Sequence, residues 1–187
     1  MILCDKDLRK AIEEKKIELR PFSKEQIGPS GIDVRIGYNI RRFKDVKVDK
    51  LNPLEEYTED EVTELAEPED GRFIIYPEDM ILIPSLEWIN MPNDLVARVV
   101  ARHSFNRLGL VVVGNAGTIE PGFKGFLTIA VKNVGKTPVI LYPEMAICKL
   151  MFENMSSCAK IPYGMLEKSK YQEQEGPTMS KLHLEKG

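Results

Sequence analysis

The sequence has little of what several protein classes require. Its longest apolar run, Leu108 to Val113, is far short of the ~20 residues a helix needs to span a bilayer. Met1-Ile2-Leu3-Cys4-Asp5 meets charge too soon for a signal peptide. There are three cysteines, Cys4, Cys148 and Cys158, and an odd count without a C-x-x-C pair argues against a disulfide framework. With two histidines and no cysteine cluster, no protein-held zinc or other metal site is expected. Secreted, membrane, disulfide-rich and zinc-enzyme classes are excluded on this reading. A cytoplasmic protein is expected, with neither a membrane nor a nucleic acid as partner.

What is present suits one globular domain spanning 1–187. At 43% hydrophobic and 29% charged residues, the chain can bury a sizeable core. Charge is unevenly spread. Residues 55–70 hold nine acidic side chains and no base, within an insert at about 52–71; outside it, 26 basic side chains face 20 acidic ones. The body can therefore accept an anion despite a net charge of −3. The acidic run itself reads as a solvated loop or a short exposed helix that adds solubility.

Near the N-terminus Asp5 is placed to cap a helix with Leu8, Ala11 and Ile12 on one face. Lys15 and Lys16 are expected in its last turn, where positive charge suits the helix dipole. Beyond Gly28-Pro29-Ser30-Gly31 the pattern becomes a series of short extended segments. They are expected around Val34 and Ile36, Phe73–Tyr76, Met80–Ile83, Leu95–Val100 and Leu110–Val113, then Phe126–Lys132, Val139–Leu141 and Ala146–Phe152. Turn chemistry separates them, as at Pro77-Glu78-Asp79, Pro121-Gly122 and Pro143-Glu144. Short strands about ten residues apart read as an all-β sandwich or barrel. No helix follows a strand in the βαβ manner, which excludes a Rossmann or P-loop fold. From Ser156 onward charge dominates, so the tail is expected to be loop-like or docked on another part of the chain.

Three segments carry candidate chemistry. Ala101-Arg102-His103-Ser104-Phe105-Asn106-Arg107-Leu108-Gly109-Leu110 places two arginines and a hydroxyl just after a strand, a set able to clamp phosphates by charge-assisted hydrogen bonds. An ordinary surface loop has the same composition. Asn115-Ala116-Gly117-Thr118-Ile119-Glu120-Pro121-Gly122-Phe123-Lys124-Gly125 puts one carboxylate in a glycine-rich hairpin, where backbone can approach a ligand closely. Lys170 to Thr178 is a polar tail with no evident structural use.

Together these segments resemble the dCTP deaminases and the related trimeric dUTPases. Leu3-Cys4-Asp5-Lys6-Asp7 resembles the family's opening and Pro29-Ser30-Gly31-Ile32-Asp33-Val34-Arg35 its first shared motif. Ala101 to Leu110 resembles its Gly-Arg-Ser-Ser-Leu-x-Arg-Leu-Gly-Leu, and Thr118 to Gly125 its x-Ile-Asp-Pro-Gly-Phe-x-Gly. Pro162-Tyr163 and Lys170 to Thr178 resemble its C-terminal Pro-Tyr and Lys-Tyr-x-x-Gln-x-Gly motifs. The resemblance implies a β-clip fold, related to distorted jelly rolls, in a homotrimer with active sites at subunit interfaces. It implies Mg²⁺ held through the substrate triphosphate, and a C-terminal lid at about 163–187. Arg102, Ser104 and Arg107 match phosphate-binding positions; Tyr163, Lys170 and Gln174 match lid residues on base and triphosphate. Ala116 matches a backbone position near the pyrimidine. Asp33 matches an interface-ordering position, or is a turn-stabilising Asp.

Four departures from the family bear on activity. The deaminases carry a general-base Glu on the strand after Gly125, where this chain reads Phe126-Leu127-Thr128-Ile129-Ala130-Val131-Lys132. Alternation sets Thr128, Ala130 and Lys132 on one face, with Leu127, Ile129 and Val131 on the other. Ala130 therefore projects to the site side but accepts no proton, and removing a general base costs ~10²–10⁴-fold in rate. His103 replaces Ser, and is an interface filler, a phosphate ligand or a substitute base. Glu120 replaces Asp, reaching about 1 Å further toward water and sugar. Phe105-Asn106 changes size near the same pocket. Trimeric dUTPases have a small apolar residue at the Ala130 position, yet this tail is deaminase-like.

The chain thus sits between two activities on dCTP or dUTP. Cleavage of dUTP to dUMP and pyrophosphate, with catalytic Glu120 and Arg107, is narrowly favoured. Deamination of dCTP through Glu120 or His103 as a displaced base is the close alternative. A nucleotide-binding protein without turnover is a third reading, and a purely structural β-module ranks last.

Overall fold

The computed structural model describes residues 1–45, 50–112 and 117–185. In chain order the strands begin with β1 (Glu18–Arg20), β2 (Ile27–Gly28), β3 (Gly31–Arg35), β4 (Ile40–Phe43) and β5 (Thr63–Ala66). β6 (Phe73–Ile75), β7 (Met80–Asn90), β8 (Leu95–Ala101), β9 (Leu110–Val112) and β10 (Thr118–Ile119) follow. β11 (Lys124–Asn133), β12 (Val139–Leu141) and β13 (Ala146–Asn154) complete the set. Among the described residues three short α-helices accompany them: α1 (Asp5–Glu13), α2 (Glu59–Val62) and α3 (His103–Arg107).

Alternating apolar residues build the central strand β11, whose side chains from Gly125 to Asn133 are buried at every second position. It pairs antiparallel with β7 and β9, in a sheet ordered β5-β4-β7-β11-β9 with β1 on the far end of β7. A second antiparallel sheet runs β10-β8-β13-β3-β2, and β12 pairs β6. The inward residues of both sheets, among them Ile32, Leu150 and Phe152 from one and Ile83, Ile89 and Val131 from the other, form a single core. Each such side chain, fully withdrawn from water, contributes about 1.5–3 kcal/mol. The result is the expected all-β, sandwich-like class. Among the described residues no helix is long and apolar enough to cross a membrane.

Several local expectations are corrected. Cys4, not Asp5, occupies the N-cap of α1, and Asp5 begins the helix with Asp7 in its first turn. Lys15 and Lys16 lie beyond the helix end: Lys15 has φ 55, and Lys16 reaches Asp94 at 2.6 Å. β7 runs on through Pro84 to Asn90, because its second half pairs with β1 and the start of β11. Val113, placed in a strand by its sequence, lies outside the described residues. The acidic insert forms the short helix α2, capped by reciprocal Thr58 and Glu61 side-chain bonds. It does more than solvate the surface, since Glu59 and Tyr57 bond to the C-terminal tail. That tail takes the docked course, against β11.

Buried charge ties the sheets together. Glu87 on β7 is fully buried and accepts from Arg35 Nε at 2.6 Å, Arg35 N at 2.9 Å and Gln26 Nε2 at 2.9 Å.

Candidate functional site

The first half of β11 and the C-terminal tail enclose a cleft of about 500 Å³. Two glycines allow the tail to lie there. At Gly122, φ is +79, and a Cβ would come within 2.6 Å of the Pro162 Cβ. At Gly125, φ is +137, and a Cβ would meet the Gln174 backbone nitrogen at 3.0 Å. Such φ values favour glycine on their own account. Tyr163 N donates to the Pro121 carbonyl at 2.8 Å. The Tyr163 ring packs 6.0 Å from that of Phe123, and its hydroxyl accepts from Tyr171 N at 3.1 Å. Gln174 then forms a parallel bridge to Gly125, and its carbonyl accepts from Phe126 N at 3.1 Å.

The ladder is irregular at this point: Phe126 pairs with Trp88 but Thr128 with Pro84, so the extra residues lie on β7. Leu127 N turns to the Ser85 hydroxyl at 2.8 Å instead of a ladder partner. Leu127 and Thr128 both line the cleft. The Thr128 hydroxyl accepts from Thr178 N at 3.2 Å. The Gln174 side chain is shared between the Phe126 carbonyl and the Thr178 hydroxyl.

The cleft is apolar in its floor, through Ile119, Phe123, Leu127 and Met179, and charged at its edge through Glu120, Lys168 and Lys170. Glu120 is exposed, and one of its oxygens accepts from the Thr118 hydroxyl at 3.1 Å. Lys170 is bonded to the Glu185 carboxylate. That bond, with the charges of Lys170 and Lys168, holds the Glu185 carboxyl below the ordinary carboxylate range. Lys170 thus already carries an anionic oxygen.

A family model for dCTP deaminase-like proteins matches residues 2–155. A protein of Dictyoglomus turgidum named "dCTP deaminase, dUMP-forming" is 39% identical over 188 residues, covering 99% of this chain and 96% of its own. The same name belongs to a Corynebacterium glutamicum protein, 40% identical over 186 residues, with coverages of 98% and 97%. This chain belongs to the dCTP deaminase-like family. The fold agrees: the crystal structure of 2'-deoxycytidine 5'-triphosphate deaminase from Agrobacterium tumefaciens superposes with a TM-score of 0.64 at 18% identity. That match takes in 82% of this chain and 48% of the other.

Within this dCTP deaminase-like chain, five residues expected from sequence meet in the cleft: Glu120, Thr128, Tyr163, Lys170 and Gln174. Ala130 is half-buried on the same face as Thr128, opposite Leu82 of β7, and is not among the described lining residues. Ile129 and Phe105 turn into the core, with 3% and 6% of their surface exposed. Their side chains serve packing. Ala116 lies outside the described residues. Arg102, His103, Ser104, Asn106 and Arg107 are exposed on or beside α3, and none is among the described residues of the cleft. α3 leads into β9, which joins β11 at its far end through Leu110 and Asn133. At about 3.3 Å per residue, the run from Thr128 to Asn133 puts roughly 17 Å between them.

The family model ends at Met155, so Tyr163, Lys168, Lys170 and Gln174 come from a tail that only the full-length relatives span. Sequence reasoning did not name Lys168, Tyr171, Thr178, Met179 or Ser180 as site residues. Tyr171 and Thr178 lie inside the Lys170–Thr178 motif, which was signal enough. Met179 and Ser180 carry no such signal, because their placement depends on contacts with residues about 120 positions earlier.

Proposed function

We propose that this chain hydrolyses dUTP to dUMP and pyrophosphate, a reading narrowly ahead of dCTP deamination. One observation carries the reading: Glu120 is the single carboxylate among the described lining residues, while the strand face beyond it bears the Ala130 methyl. A water oxygen attacks the α-phosphorus, its proton passes to Glu120, and the bond to the oxygen bridging the α- and β-phosphates breaks to release pyrophosphate. The hydrogen bond from Thr118 fixes one Glu120 oxygen and leaves the other for water. Lys170, Arg102 and Arg107 neutralise the triphosphate and the charge that develops on it, and the Ser104 hydroxyl donates a hydrogen bond to it. Among the described residues no group of three or more His, Cys, Asp or Glu side chains is placed to hold a metal. Mg²⁺ fits as part of the substrate, carried on its triphosphate oxygens, where it supplies further charge neutralisation.

The arginines reach the cleft from a second copy of the chain. Among the described residues Arg107 makes no ion pair, and Val100, Leu108, Val111 and Met145 leave an apolar surface exposed around α3. Burying that surface against a neighbour in a cyclic homotrimer would set one copy's α3 against the next copy's cleft.

The relatives' name favours a second reading. Forming dUMP from dCTP requires loss of both the amino group and pyrophosphate. The second step has its carboxylate here; the first would need Glu120 or His103 to replace the base that Ala130 lacks. The test is dUMP release from Mg²⁺–dUTP by the parent protein and by Glu120→Gln. The expected result is turnover by the parent and a kcat lower by ~10²–10⁴-fold in the variant, with a smaller change in KM. Equal rates would contradict the role given to Glu120, and binding without turnover in the parent would contradict the reaction.

A further inference from the structure

The tail that roofs the cleft is fastened by residues from the acidic insert and from β4. Met179 N donates to Glu59 Oε1 at 2.8 Å. The other Glu59 oxygen is paired with an Arg41 Nη at 2.7 Å. Arg41 Nε donates to the Pro177 carbonyl at 3.0 Å, and its remaining Nη reaches Asp60 at 3.0 Å and the Thr63 hydroxyl at 3.1 Å. The Tyr57 hydroxyl donates to the Ser180 carbonyl at 2.7 Å. Arg41 stands on the face that bears Ala130, since Arg41, Leu82 and Ala130 are successive cross-strand partners.

We propose that Arg41 and Glu59 are positioning residues that latch residues 177–180 closed over the cleft and thereby set its affinity for the nucleotide. The proposal rests on reading the cleft as the nucleotide site. Its physical basis is that the latch grips backbone: a carboxylate takes an N–H and a guanidinium takes a carbonyl, one residue either side of Thr178. Both bonds are charge-assisted and stronger than neutral ones. They are also shielded, with Arg41 and Glu59 side chains 14% and 30% exposed. Asp60, 81% exposed, is an ordinary surface partner and contributes little. Closing the tail brings Thr178 to Thr128 and buries Met179. Apparent affinity scales with the fraction of molecules in the competent, closed state, so a latch that holds without nucleotide spares the ligand that ordering cost.

Amide hydrogen exchange on the nucleotide-free protein, followed by Mg²⁺–dUTP binding, tests this. Glu59→Ala and Arg41→Ala are expected to speed exchange across residues 177–180 by about tenfold each, the loss of a hydrogen bond to a charged group. Glu59→Gln, which keeps an oxygen for Met179 N but loses the charge and the pairing with Arg41, is expected to fall between the parent and Glu59→Ala, while Asp60→Asn is expected to stay near the parent. Exchange in β11 serves as the control for general unfolding. In the Glu59→Ala/Arg41→Ala double variant the dissociation constant and KM are expected to rise about tenfold, with kcat less affected. Unchanged exchange at 177–180 would overturn the latch. Faster exchange with unchanged nucleotide affinity would overturn its positioning role. Should the parent bind no pyrimidine nucleotide, the functional reading fails instead, and faster exchange at 177–180 would still support the latch.

Discussion

Ala130 presents a methyl group at the point where, by the family resemblance, a general base would act on the pyrimidine ring. The methyl neither accepts a proton nor orders a water. Cleavage of a phosphate anhydride makes no demand on that position; it needs an oriented water and neutralised charge, the roles that the proposed function gives to Glu120 and the surrounding cations. Cys148 shows the opposite case, a reactive group silenced by its surroundings. It is fully buried on β13, and burial, with the charges of Glu87 and Asp33, pushes its thiol up to about 12 from an ordinary 9.0. Because the folded thiol binds its proton more tightly than the unfolded one, this stabilisation is complete below pH 9 and is lost as pH rises toward about 12. In native protein at pH 8 a thiol reagent is expected to leave Cys148 unmodified until denaturant is added, as mapped by peptide mass spectrometry. Rapid native labelling of Cys148 would contradict its burial.

Among the elements, β7 carries the largest buried electrostatic commitment. Glu87 is wholly buried while satisfying Arg35 and Gln26, so removing its carboxylate leaves the Arg35 guanidinium without its counter-ion. Glu87→Ala is therefore expected to cost about 3–5 kcal/mol in a chemical denaturation curve; a loss within about 0.5 kcal/mol would show that the pair is dispensable. Element by element, the strands legible in the sequence were those with clear alternation or apolar runs bounded by Pro, Gly and Asp turns, such as β8, β11 and β13. β1, β2, β4, β5 and β10 were not, being two to four residues long and fixed by partners far away in the chain. The α1 boundary moved by one residue at its start because Cys4, without a capping side-chain bond, holds the cap position that Asp5 seemed to claim. The motif residues of the tail were legible as a set. Its path was not, since a parallel bridge from Gln174 to Gly125 leaves no periodic trace.

At the scale of the whole molecule, the chain holds its candidate nucleotide-binding residues in two groups. The cleft gathers Glu120, Thr128, Tyr163, Lys170 and Gln174, while Arg102, Ser104 and Arg107 project from α3 amid exposed apolar side chains. On the proposed reading, one copy supplies the water-orienting carboxylate and the lid, and its neighbour supplies the arginines. The sequence showed both groups and their family pattern, but not their separation, because motif order along a chain carries no information about which copy completes a site. The two candidate reactions differ in which bond of which nucleotide is broken. The most direct measurement is the product analysis of purified protein with Mg²⁺ and either dUTP or dCTP, resolving dUTP, dUMP, pyrophosphate and ammonia. The expected result is dUMP and pyrophosphate from dUTP with no ammonia from dCTP. Ammonia from dCTP would contradict the account, showing that another group has taken over the work of the base missing at Ala130.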